Sequence, residues 1–305
     1  MSIPLHDPAW LERMYNNRAL VPDYMDYLQR WAQDSAQVRA NCPCALDLAY
    51  GPEVGETLDV FPATRPGAAL ATMHAKTTTA TPSMMTALRE PLTLRRGPAW
   101  ANRIQLAPLT NWQSHADGTL GEDEYRWLTM RGRGGFGMVM NCAAHVQAGG
   151  QGFPGQLGVW SDVHLPGLTR LAAGIHAGGS VSSLQLQHSG RRADTALTGQ
   201  PRVAPWDDAE TGARALSTAE VEQLMQDFIT CARRAEQAGF QGVELHGAHG
   251  YLLAQFLDAE HNRRDDRYGG SFDNRCRIVF ELIDGIRDAT GPQFQLGLRL
   301  SPERF

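Results

Sequence analysis

Residues His246-Gly247-Ala248-His249-Gly250-Tyr251 place two imidazoles three residues apart and a phenol two residues further on. Imidazole and phenol groups can hydrogen-bond a substrate carbonyl and hand over a proton near neutral pH, so the cluster suits acid–base work. His-x-x-His also resembles half a zinc site. It lacks the Glu that completes the His-Glu-x-x-His pattern, and no third ligand is evident, so no metal is expected. The plain alternative is a pair of packed histidines at a strand end.

Other polar groups stand where a strand gives way to a loop: Thr110, Asn111 and Trp112; Asn141, Cys142 and Ala143; His188-Ser189-Gly190-Arg191; and Ser301. Gln185 lies inside an apolar run, where an inward amide needs a partner. Arg299 sits between Leu298 and Leu300. A guanidinium there is costly unless it meets a counter-charge or a ligand, and the plain reading is an ion pair with a neighbouring carboxylate.

The elements that carry these groups follow from pattern. Apolar runs of strand length fall at 104–109, 138–141, 181–186, 242–246 and 296–300. Helical patterns separate them, notably 218–238 and 274–289, and Ser217 with Glu220 forms a capping box ahead of the first. Strands alternating with helices predict a parallel sheet with helical crossovers. In a β/α barrel the active site lies on the face built by the strand ends and the loops after them. A helix is expected to start near Ala248.

The 305 residues are 42% hydrophobic and 20% charged, with a formal charge of -5. That is globular composition without a basic block, which argues against nucleic acid or an anionic membrane as partner. No run reaches the roughly 18 apolar residues of a membrane helix. The start has no basic region followed by an apolar one, so no secretory signal is expected. The odd count of 5 cysteines reads as reduced thiols in a cytoplasmic protein. Cys231 is expected in the core. Gly149-Gly150-Gln151-Gly152 lacks the strand–turn–helix context of a nucleotide fingerprint.

Residues 87–305 resemble the old yellow enzyme, or NADH:flavin oxidoreductase, family. The resemblance runs through Arg89-Glu90-Pro91-Leu92, Asn102-Arg103-Ile104, Ala107-Pro108-Leu109-Thr110, Gln185 with His188-Ser189-Gly190-Arg191, and His246 to Leu252. It is strongest at Asn262-Arg263-Arg264-Asp265-Asp266-Arg267-Tyr268-Gly269-Gly270-Ser271, followed by Asn274-Arg275, a stretch expected to be structural. The resemblance implies an α/β fold, an FMN-binding TIM (β/α)8 barrel, with FMN as cofactor and NADH or NADPH as reductant. It implies that Pro108, Leu109, Thr110 and Ala143 line the flavin ring, that Gln185 bonds its pyrimidine edge, and that Arg299 lies beside N1 and O2. It further implies that His246 and His249 bind the carbonyl oxygen of an α,β-unsaturated small-molecule substrate, with Tyr251 protonating the α-carbon and Trp112 flanking the pocket.

Two departures accompany that resemblance. About five of the eight barrel strands are visible before Phe305, so the barrel is expected to be incomplete, without the family's phosphate-binding end. The strands near Ile104 and Leu296 would then have open edges, able to pair with another chain and leaving a homo-oligomer open. Residues 1–70, in contrast, resemble the N-terminal segment of α/β-hydrolases of the esterase or kynurenine-formamidase type, on Trp10-Leu11-Glu12-Arg13-Met14-Tyr15, Tyr50-Gly51-Pro52 and Leu58-Asp59-Val60-Phe61. No serine stands in Gly-x-Ser-x-Gly, so a hydrolase nucleophile is not expected. Two helices and a hairpin are predicted there, and residues 71–86 read as a linker ahead of the reductase-like domain.

Overall fold

A computed structural model describes residues 45–49, 57–60 and 88–301. The chain divides into two units, 1–85 and 86–305. In the first, β1 (Ala45–Ala49) pairs antiparallel with β2 (Thr57–Val60), matching the predicted hairpin. The two predicted helices, the linker and the remaining hydrolase-like motifs lie outside the described residues.

The second unit is a parallel sheet of β3 (Gln105–Leu106), β4 (Met138–Met140), β6 (Val181–Gln187), β9 (Gly242–Gly247) and β10 (Gln295–Leu300), with the short β5 (Ala144–His145) also paired to β6. Spatial order follows chain order from β3 to β10. Each strand thus lies beside the one before it, and right-handed crossovers keep the helices on one face. That is the winding of a barrel wall, and it makes an incomplete (β/α)8 barrel of the described residues. A small side ribbon joins β7 (Val203–Ala204) to β8 (Arg214–Ala215).

The crossover helices are α1 (Glu122–Arg133), α2 (Leu165–Ala177), the one-turn α3 (Thr195–Thr198), α4 (Thr218–Gln237), α5 (Leu252–Leu257) and α6 (Phe272–Ala289). α1 opens on Glu122, Asp123 and Glu124 and closes with Arg131 and Arg133, the charge order that opposes the helix dipole. The predicted box at α4 is formed, with Ser217 and Glu220 capping each other. The strand predicted over 104–109 is shorter, because Pro108 has no N–H to donate to a ladder.

Strand alternation sorts the residues by face. Val139, Leu184, Leu186, Val243 and Leu245 turn outward and join Leu128, Leu171, Ile175, Phe228 and Leu282 of the helices in one buried core. The opposite face carries Met138, Met140, Val181, Gln185, Glu244, His246 and Arg299. Its lower end is plugged by Trp100, which packs on Met138, Met140 and Val181 and donates from Nε1 to Gln295 at 3.1 Å.

The family-like 262–275 stretch braces the outer layer. Arg264 pairs with Asp266 and donates to the Pro205 and Leu216 carbonyls, while Asn262 bonds the Phe256 and Tyr268 carbonyls. Cys231 is buried in the main core as expected. The glycines at 149–152 serve close packing: a Cβ on Gly150 would stand 2.6 Å from the His188 ring.

Leu186 is fully buried between sheet and helices. Leu186→Ala leaves a cavity there and is expected to lower unfolding free energy by about 2–5 kcal/mol, measured by urea denaturation.

Candidate active site

Because the sheet is parallel, every strand delivers its C-terminal end to one edge, and the polar loop residues collect there. Register then sets their neighbours. Gln185 on β6 lies opposite Glu244 on β9, and His246 on β9 lies opposite Arg299 on β10. All four belong to the inner face.

Glu244 ties this face together. Its Oε1 accepts from Gln185 Nε2 at 2.7 Å and from Arg299 Nε at 2.9 Å. The inward amide thus finds its partner, and the guanidinium its counter-charge. Glu244 is buried, and these two donors satisfy its inner oxygen. Among the described residues Arg299 uses only Nε, which leaves both of its Nη groups as donors for a ligand. Asn141 completes the level: its Oδ1 accepts the Gln185 backbone N–H at 2.7 Å, and its Nδ2 is buried without a partner. Ala143 supplies a small apolar surface after β4.

The histidine loop sits one step further up. His249 Nδ1 stands 3.2 Å from His246 Nε2, and the Tyr251 ring meets the His246 ring edge-on with centroids 5.0 Å apart. α5 begins only at Leu252, not near Ala248 as predicted, because residues 248–251 form a turn. That turn forces His249 into the left-handed region at φ 56°, which disfavours a residue with a Cβ. Two bonds hold it: the His249 N–H donates to Ser301 Oγ at 3.0 Å, and Arg192 Nη1 donates to the His249 carbonyl at 2.6 Å. The Arg192 guanidinium also lies 5.1 Å from the Tyr251 ring centre.

Burial, with help from the neighbouring His249 and Arg299, pushes the His246 pKa down to about 4. Its ring is therefore neutral at pH 7, and its Nδ1 is a second buried atom without a partner.

The loop after β3 contributes less to this convergence. The Cys142 thiol after β4 is buried, which pushes its pKa up to about 12 and keeps it protonated. Leu109 and Trp112 are 51% and 62% exposed. Pro108 is half-buried. The structure thus brings together Gln185, Arg299, His246, His249 and Tyr251, and places Leu109 and Trp112 toward solvent.

Sequence reasoning gave Glu244 and Arg192 no role and named Asn141 and Ser301 only as polar groups at strand ends. For Glu244 a signal existed: it alternates with Val243 and Leu245 in the phase of His246, so it had to share the imidazole's face. Ser301 joins the site through the His249 backbone, and Arg192 through that backbone and the Tyr251 ring, contacts that no spacing rule reveals.

The unpartnered Nη groups of Arg299, the orphaned Asn141 Nδ2, the Gln185 amide and the small Ala143 suit the polar edge of a flat heteroaromatic ring that carries carbonyl oxygens. Among the described residues no group of three or more His, Cys, Asp or Glu side chains could hold a metal.

A family model for the NADH:flavin oxidoreductase / NADH oxidase family matches residues 87–305. The probable NADH-dependent flavin oxidoreductase YqiG of Bacillus subtilis is 39% identical over 224 residues, covering 71% of this chain and 60% of that protein. 12-Oxophytodienoate reductase 2 of Arabidopsis thaliana is 35% identical over 218 residues, covering 66% of this chain and 58% of that protein. Among solved structures, the old yellow enzyme homologue from Zymomonas mobilis superposes with a TM-score of 0.64 at 30% identity, covering 71% of this chain and 63% of that one. The parallel winding is that of an incomplete β/α barrel. The chain belongs to the NADH:flavin oxidoreductase, or old yellow enzyme, family, and it spans about three fifths of the length of the curated relatives named here.

The neutral state of His246 has a pH consequence. Its pKa is lower in the fold than the ordinary 6.5, so the unfolded chain binds the proton first. The stability this ring contributes is present above pH 6.5 and is lost as pH falls from there to about 4. In an NMR titration the His246 ring proton is expected to shift with a midpoint near 4, with an ordinary midpoint near 6.5 counting against the burial described.

Proposed function

We propose that this chain forms the flavin-binding and substrate-binding mouth of an FMN-dependent NAD(P)H oxidoreductase that reduces the alkene of an α,β-unsaturated carbonyl compound. The observation that carries the reading is the shared mouth: the Gln185–Glu244–Arg299 chain on one level and His246, His249 and Tyr251 on the next. Membership in the family supports the cofactor, and the donor set described above is compatible with it. Bound FMN, reduced by NADH or NADPH, would supply the hydride.

The chain's own residues take the remaining tasks. Arg299 and Gln185 would hold the polar edge of the ring, and Glu244, bonded to both, would keep them aimed. Arg299 would oppose negative charge gathering at that edge on reduction. Thr110 and Ala143, with Pro108 and Leu109, would flank the ring. His246, neutral at pH 7, and His249 donate hydrogen bonds to the substrate carbonyl oxygen. That draws electron density from the alkene and prepares its β-carbon for attack. Tyr251 would deliver a proton to the α-carbon. Its phenol lies beside the His246 ring and under the Arg192 cation. Trp112 would flank the substrate from the exposed side of the loop after β3.

The purified chain is expected to bind FMN, to show the flavin absorption bands, and to bleach on addition of NADH or NADPH. Tyr251→Phe is expected to slow alkene reduction by about 10²-fold while leaving the bleaching rate within about twofold. Stopped-flow absorbance separates the two half-reactions. A folded chain that neither takes up FMN nor bleaches overturns the reading, and equal rates in the variant remove Tyr251 as the donor.

A further inference from the structure

Beside the histidine loop lies a pocket of about 460 Å³ lined by Arg191, Arg192, Trp206, His249, Gln255 and Ser301, among others. Its two arginines are differently employed. Arg191 is neutralised, with Asp208 at 2.7 Å and Glu210 at 2.5 Å. Arg192 has no carboxylate partner among the described residues; its one hydrogen bond runs from Nη1 to the His249 carbonyl. The Nε and Nη2 edge of its guanidinium is left over, and that edge is the fork that matches a carboxylate with two parallel bonds.

The surroundings favour such a ligand. Ser301 Oγ accepts from the His249 N–H, so its hydroxyl proton remains to donate. Gly250 lines the pocket with no side chain, and a Cβ there would stand 3.9 Å from Arg192 Nη1. Trp206, stacked on His261 with centroids 5.3 Å apart, forms a flat apolar wall. The carboxylate of Asp258 also lines the pocket, but it is engaged by the His261 ring at 3.0 Å, so the cationic end is the one at Arg192.

We propose that this pocket is a specificity subsite for a carboxylate-bearing arm of the substrate, bound by Arg192 and Ser301 beyond the carbonyl that His246 and His249 hold. The inference rests on the function proposed above for the position of that carbonyl, but the subsite can be tested without turnover. The probes are 2-carboxyethyl propionate, a saturated ester with a carboxylate arm, and its methyl ester, which lacks only the charge. Ligand-observed NMR on the full chain at low salt is expected to give about fivefold tighter binding of the acid. That preference should vanish in Arg192→Gln and fade with added salt. Arg192→Lys, which keeps the charge but loses the fork, should retain part of it and covers the case in which Arg192→Gln does not fold. Equal affinity for acid and ester, or a preference that survives Arg192→Gln, overturns the subsite. Alkene reduction is measured separately with 2-carboxyethyl acrylate. Absence of reduction with the binding preference intact defeats the proposed activity and leaves the subsite standing.

Discussion

One carboxylate organises the mouth of this half-barrel. Glu244 stands on the central strand of three and accepts from Gln185 on one neighbour and Arg299 on the other. Three parallel strands are thus cross-linked by side chains at the level where a ligand would enter. A buried carboxylate without these donors would carry a large desolvation cost, and a guanidinium in a leucine-flanked strand would carry another. Each makes the other tolerable. Among the described residues the pair engages only Nε of Arg299, so the interaction that holds the residue in place does not exhaust its capacity to donate.

The histidine loop depends on a different kind of constraint. His249 adopts a backbone conformation that a residue with a Cβ avoids, and it keeps it because Ser301 and Arg192 hold the two sides of its peptide. Strain of this sort persists where surrounding contacts over-determine it. The consequence is that both imidazoles turn the same way and meet at 3.2 Å, with Tyr251 against the inner one. A relaxed helix beginning at Ala248 would have carried His249 round the helix axis and away from His246. The strained turn is therefore what converts spacing in the sequence into a shared site.

The same loop links binding to selectivity. Arg192 braces the His249 carbonyl with one amino group, lies over the Tyr251 ring, and presents its remaining edge to the adjoining pocket. Its charge reaches the phenol, the inner imidazole's neighbour and any ligand in that pocket. Arg191, one residue away, has its charge consumed by Asp208 and Glu210. Two adjacent arginines thus play unlike parts, decided by which carboxylates the fold brings within reach.

Much of this was legible in the residues themselves. The five strands, the capping box at Ser217, the parallel winding and the cluster of imidazoles and phenol follow from periodicity and from polar residues at strand ends, because those patterns are local. The Gln185, Arg299, His246 and His249 positions could be named from one chain because each broke an apolar pattern or stood at a strand's end. What required the fold was their pairing. Glu244 joins Gln185 across 59 positions and Arg299 across 55, and only the register of β6, β9 and β10 makes them neighbours. The late start of α5, the left-handed turn at His249 and the roles of Arg192 and Ser301 likewise rest on contacts between distant segments. Alternation along each strand is enough to assign these groups to the inner face; which of them touch follows from strand register, which is set by packing of the whole sheet and not by any stretch within it.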